Sequence, residues 1–179
     1  MSDGNNKFAV VSNFYFNDKN EMSLIVINEL GNIGIPDADI FDISGLNIND
    51  CTGCWSCWWK TPGRCAFTDL DEFYNKYITA DKAIYLAKVT RGFVSGNLKT
   101  LFDRMIPLYL PYTTYKTGES MHVTRYDKYP EIEFYYDGEL AGDSLRVFTD
   151  YIHRVFYQFY SKLTLIEHIS KYTNRGGQV

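Results

Sequence analysis

The chain has 179 residues, of which 45% are hydrophobic, and carries 18 Lys and Arg against 22 Asp and Glu, a formal net charge of −4. This length suits a single domain over residues 1–179 with one substantial core, and the hydrophobic content excludes a disordered chain. The charge balance leaves no basic stripe for nucleic acid, and no apolar run approaches the ~20 residues of a membrane helix.

The opening "MSDGNNK" is polar and lacks a secretory core, so a cytoplasmic location is expected. "KFAVVSN" (7–13) reads as a buried strand. From Asp18 to Gly31 the apolar residues Met22, Ile25, Val26 and Leu30 fall at helical spacing, so a helix is expected there. "ADIFDIS" (38–44) alternates as a second strand. A helix over 70–78 follows, capped by Thr68 or Asp69, with Asp69, Asp71 and Glu72 near its positive end. "KAIYLAKV" (82–89) is a third strand. Residues 95–108 form a helix with Leu98, Leu101, Phe102 and Met105 on one face and Pro107 near its end. The stretch 109–130 is too long for an ordinary connection and reads as a lid or an oligomer contact. A strand at 131–137, an amphipathic helix at 143–160 and a strand at 163–170 complete the pattern, before a frayed "NRGGQV" tail.

Strands alternate with helices throughout, which predicts an α/β fold with a five-stranded parallel sheet in three layers. In such sheets ligands bind beyond the C-terminal ends of the strands. Three segments fall there: residues 12–20, the loop after the second strand, and residues 89–97.

The second of these, "CTGCWSCWWKTPGRC" (51–65), holds every cysteine of the chain. In a reducing compartment, clustered thiols point to metal or redox chemistry more readily than to disulfides. Cys51, Cys54 and Cys57 form a C-x-x-C-x-x-C run, with Cys65 as a fourth thiol. That is a known ligand geometry for a 4Fe–4S cluster. Zinc also takes four thiolates, although usually from two separated pairs, and reduced thiols also serve as small hydrophobic filling. Trp55, Trp58 and Trp59 stand ready to shield a cofactor or to bury a contact between subunits. His153 and His168 read as structural, and nothing converges on His122.

The stretch from residue 51 to about residue 112 resembles the flavodoxin-like NAD(P)H-dependent FMN reductases and iron–sulfur flavoproteins. The resemblance is carried by Cys51, Gly53, Cys54, Cys57 and Cys65, the acidic "TDLDE" that follows, and Ser95, Leu98, Lys99, Asp103 and Arg104. It implies the flavodoxin-like doubly wound strand order 2-1-3-4-5 and a bound FMN. Ser12, Asn13, Asn17, Lys19 and Asn20 would hold its phosphate and ribityl chain. Val89, Thr90, Arg91, Gly92, Phe93 and Val94 would lie against its ring, and Arg91 suits tuning of the reduced flavin, a bidentate hold on its phosphate, or a surface ion pair. It further implies NADH or NADPH as electron donor, a small-molecule electron acceptor, and a 4Fe–4S cluster on the four cysteines.

The chain departs from that family in two loops. The usual Gly-Ser-x-Arg after the first strand is replaced by a segment with Phe14, Tyr15, Phe16 and Asp18. The usual Pro-x-Tyr after the third strand is replaced by Lys88, Val89 and Thr90. A second reading follows: a flavodoxin-like protein that has lost FMN and acts as a binding or scaffold protein. A homodimer built from 109–130 and the tryptophans is expected in either case.

Overall fold

Leu24, Ile25, Val26 and Ile27 form an unbroken apolar run with three β-branched residues, and it is a strand: β1, Leu24–Asn28. The computed structural model describes residues 22–31 and 38–171. Along the chain β1 is followed by β2 (Asp39–Asp42), a helical turn α1 (Ser56–Trp59), α2 (Asp71–Thr79), β3 (Lys82–Thr90), β4 (Phe93–Val94) and α3 (Gly96–Asp103). A 3-10 turn (Ile106–Leu108) leads into β5 (Tyr109–Thr114) and β6 (Met121–Thr124). The chain then forms β7 (Glu131–Asp137), α4 (Gly142–Gln158) and β8 (Leu163–His168).

The main sheet runs β2-β1-β3-β7-β8, and every pair in that path is parallel. Numbered by order in the chain, these five strands stand as 2-1-3-4-5, the flavodoxin-like order. β4 adds a short antiparallel strand to the end of β3. The place expected for 7–13 belongs to β1, and 7–13 itself lies outside the described residues. The helix expected from Asp18 to Gly31 is thus corrected to a strand. Ile25, Val26 and Ile27 are buried on both sheet faces, so the run does not alternate and its spacing mimics a helix.

The large core fills one face of the sheet. Ile25, Ile27, Ala83, Tyr85, Ile132 and Phe134 meet the apolar stripes of α2, α3 and α4. Those stripes are Phe73 and Tyr77, Leu98 and Leu101, and Phe148, Ile152 and Phe156, spaced three or four apart as helical packing requires. On the other face Val26, Ile84, Leu86 and Tyr135 cluster with Ile169.

Three further expectations change. α2 takes its cap position at Leu70 without a side-chain cap, because the Asp69 carboxylate is engaged by Arg104. The helix expected over 95–108 stops at Asp103, and Pro107 lies in the 3-10 turn that follows. The long segment 109–130 holds the hairpin β5–β6. Tyr109 stacks on Tyr129 and on Phe159, so part of the segment's aromatic content packs within the chain, while Tyr112 and Tyr115 stay exposed.

Candidate metal centre

Helix α3 organises the loop that carries the cysteines. Ser95 caps it by accepting the Leu98 N–H at 3.0 Å. One turn on, the Asn97 amide donates to the carbonyls of Ile43 and Leu46, and the Thr100 hydroxyl donates to Asp50 at 2.8 Å. These bonds pin residues 43–50, the approach to Cys51, against a rigid element.

Arg104 closes the same loop from below. Its side chain is fully buried and its guanidinium forks onto Asp69, at 2.7 Å and 2.6 Å. It also donates to the Asn49 carbonyl at 2.9 Å and to the Phe67 carbonyl at 3.3 Å, and lies over the Phe67 ring. Asn49 precedes the cysteine loop and Phe67 follows it, so one cation ties both ends together. Burial opposes ionisation of Asp69, but Arg104 and the two Asn49 donors outweigh it and hold the carboxyl at about 2.

The loop so held borders an open cleft with a volume of about 80 Å³. All four cysteines line it, with Trp55, Phe67, Ile106 and Pro107 as apolar wall and Arg104 at its base. Gly53 (φ 64°) and Trp55 (φ 57°) both adopt left-handed backbone. A tryptophan in that region costs on the order of 1–3 kcal/mol, and such strain persists where surrounding contacts enforce it. Here Trp58 supplies the contact: Trp55 stacks on it at 4.7 Å, and its indole N–H donates to the Tyr109 carbonyl at 3.0 Å.

The thiols differ in character. Cys51 and Cys54 are exposed, and Cys57 and Cys65 are half-buried. The side chain and backbone of Ser56 donate to Cys54 and lower its pKa. Burial pushes Cys57 up to about 11, and the negative charge of Cys65, Cys54 and Cys51 pushes the same way. The charges of the other three thiols thus act on Cys57 across the cleft that all four line. Among the described residues no group of three or more His, Cys, Asp or Glu is drawn in to hold a metal ion. A single zinc needs four sulfurs at about 2.3 Å, whereas a four-iron cluster spreads its thiolates one to each iron. The donor set, its common cleft and its apolar wall fit the cluster better than the ion.

The geometry at the end of β1 is of another kind. Residues 12–20, including Ser12, Asn13, Asn17, Lys19 and Asn20, lie outside the described residues. The residue that follows β1 is Glu29, whose carboxylate accepts the Lys88 N–H at 2.9 Å and the Ser95 hydroxyl. Burial raises its pKa. Only residues 29–38 join β1 to β2, fewer than the dozen or more of a usual helical crossover. A carboxylate takes these two donors at the strand end, and the residues expected to hold an FMN phosphate lie outside the described residues. Val89 to Val94 form a tight hairpin, with Arg91 (φ 53°) and Gly92 (φ 78°) as its two turn residues. Phe93 packs on Tyr151 at 4.4 Å, and Gly138 packs so closely on Val89 that an added Cβ would stand 2.8 Å from it.

Sequence reasoning singled out the cysteines but missed Glu29, Asn49 and the structural use of Asp69. Arg104 drew notice only as part of a resemblance. An arginine and an aspartate bordering apolar helices were the available signal for a buried pair.

Among solved structures, the chain is similar to azoreductase AzrA and to an azoreductase of Bacillus anthracis. Each comparison has a TM-score of 0.51 at 12% identity, covering 87% of this chain and 91% of the other. That likeness shows the fold alone. The chain is also 41% identical over 64 residues to an iron–sulfur flavoprotein of Methanocaldococcus jannaschii, a match covering 36% of this chain and 32% of that one. It is 32% identical over 93 residues to an iron–sulfur flavoprotein of Archaeoglobus fulgidus, covering 51% of this chain and 41% of that one. The chain has the flavodoxin-like strand order and is similar over part of its length to iron–sulfur flavoproteins. It spans about a third to two fifths of the length of those relatives. No protein-family model matches the chain. No described helix is long and apolar enough to cross a membrane.

Proposed function

We propose that this chain is a redox protein whose centre is a 4Fe–4S cluster held by Cys51, Cys54, Cys57 and Cys65, and that it passes single electrons between partners. The observation that carries this reading is the convergence of all four thiols on one cleft. When bound, such a cluster supplies reversible one-electron transfer. The chain's own residues do the rest. Each cysteine gives a thiolate, and Ser56 lowers the cost of ionising Cys54. Trp55, Phe67 and Pro107 keep water from the inner wall, while exposed Cys51 and Cys54 mark the side by which electrons enter and leave.

The finer alternative is an FMN oxidoreductase taking a hydride from NADH or NADPH and serving a small-molecule acceptor. What supports it is that the relatives are flavoproteins. What weighs against it is the carboxylate of Glu29 at the strand end where phosphate is expected. The visible spectrum of protein purified without oxygen separates the readings. A broad brown absorbance that bleaches with dithionite, with no flavin released by acid, is the expected result. Flavin released at about one per chain would support the alternative, and a colourless protein would support a binding or scaffold role.

A further inference from the structure

Arg104 has one donor left over. Its two terminal nitrogens serve Asp69, Asn49 and Phe67, yet its Nε is buried and has no hydrogen-bond partner among the described residues. Leaving a buried charged donor unmade is costly, and such a group calls for a ligand. Arg104 also lines the cleft that the four cysteines line.

We infer that Arg104 is the positioning and tuning residue of this centre: its Nε–H donates to a sulfur of the bound cluster, and its fixed charge stabilises the reduced cluster. The inference rests on the cluster reading above. Asp69 and the two loop carbonyls hold the guanidinium in one orientation, so the donor is set in advance and does not reorganise when an electron arrives. Reduction adds one electron to the cluster, with no proton transferred and no bond broken, so the added negative charge is what the guanidinium meets. Cys65 and Arg104 line the same cleft, which sets the cation beside the ligand set. Hydrogen bonds to cluster sulfurs and nearby positive charge both raise a cluster's potential.

Two variants separate the donor from the charge. Arg104→Lys keeps a cation but loses the fork and the Nε–H; Arg104→Gln loses both. The measurement is the reduction potential of anaerobically reconstituted protein, followed by electron paramagnetic resonance, with iron content determined on the same samples. The expected order is wild type highest, Arg104→Lys lower and Arg104→Gln lowest, with iron retained. Iron-loaded Arg104→Gln at the wild-type potential overturns the inference while leaving the cluster standing. Wild-type protein that takes up no iron overturns the cluster and the inference together. Should either variant fail to fold or to hold iron, wild type grown on nitrogen-15 arginine decides. A nitrogen-15 coupling to the reduced cluster is expected, and its absence overturns the inference.

Discussion

Asp69 and Arg104 together join the end of α3 to both ends of the cysteine loop, so their ionisation is also a statement about stability. The folded pKa of Asp69, about 2, lies below the unfolded value of about 3.9. A depressed carboxylate contributes stability that is complete above the unfolded value and lost as the pH falls toward the folded one. Thermal unfolding of wild type followed from pH 6 to pH 2 should therefore show a loss of stability setting in below about pH 4. Asp69→Asn should be less stable than wild type at pH 6 by about 3–5 kcal/mol, because it leaves a buried guanidinium without its counter-charge. That difference should narrow at the acid end, and an unchanged difference across the range would contradict the assignment. Cys54 makes the opposite prediction. It is exposed, so Cys54→Ala should leave the melting temperature of the iron-free protein unchanged, yet it should remove the iron. Iron retained in full by Cys54→Ala would count against that ligand.

At the scale of elements, α3 does more than pack. Its cap hydroxyl serves two partners, accepting from Leu98 and donating to the Glu29 carboxylate. Ser95→Ala should cost about 1 kcal/mol for the cap and a further 1–3 kcal/mol for a buried acceptor left short, measured by urea unfolding. A loss under about 0.5 kcal/mol would show that Glu29 turns to solvent instead. The same elements show what could be read from the chain in advance. α2 and α4 were legible because each has a clear helical period, and β3 and β7 because each is a short apolar run between polar residues. β1 was not, since its apolar residues together with Met22 and Leu30 also fit helical spacing. The hairpin β5–β6 was missed because Tyr109 and Tyr129 looked like a surface in search of a partner, and their partner is Phe159 of the same chain. The cysteine cleft was legible from local spacing. Glu29, Asn49 and Asp69 were not, because their roles arise from contacts between residues 20 to 66 positions apart.

Across the whole molecule, the described surface leaves large aromatic residues open on the cysteine loop and the hairpin. Trp59 is 73% exposed and Trp55 50%, and on the hairpin Tyr112 and Tyr115 are 66% and 71% exposed. Scattered apolar residues need no explanation, but four aromatics on the cysteine loop and the hairpin suit an interface. A homodimer is the expected assembly, and sedimentation at micromolar concentration should show it, with Trp59→Asp shifting the equilibrium toward monomer. Wild type sedimenting only as monomer would reassign those rings to a redox partner.

The central proposal is that the four thiols act as one ligand set. Iron and acid-labile sulfide, measured per chain on protein reconstituted without oxygen, test that directly. About four of each per chain is the predicted result. Iron well under one per chain, in protein whose fold is intact, would contradict it.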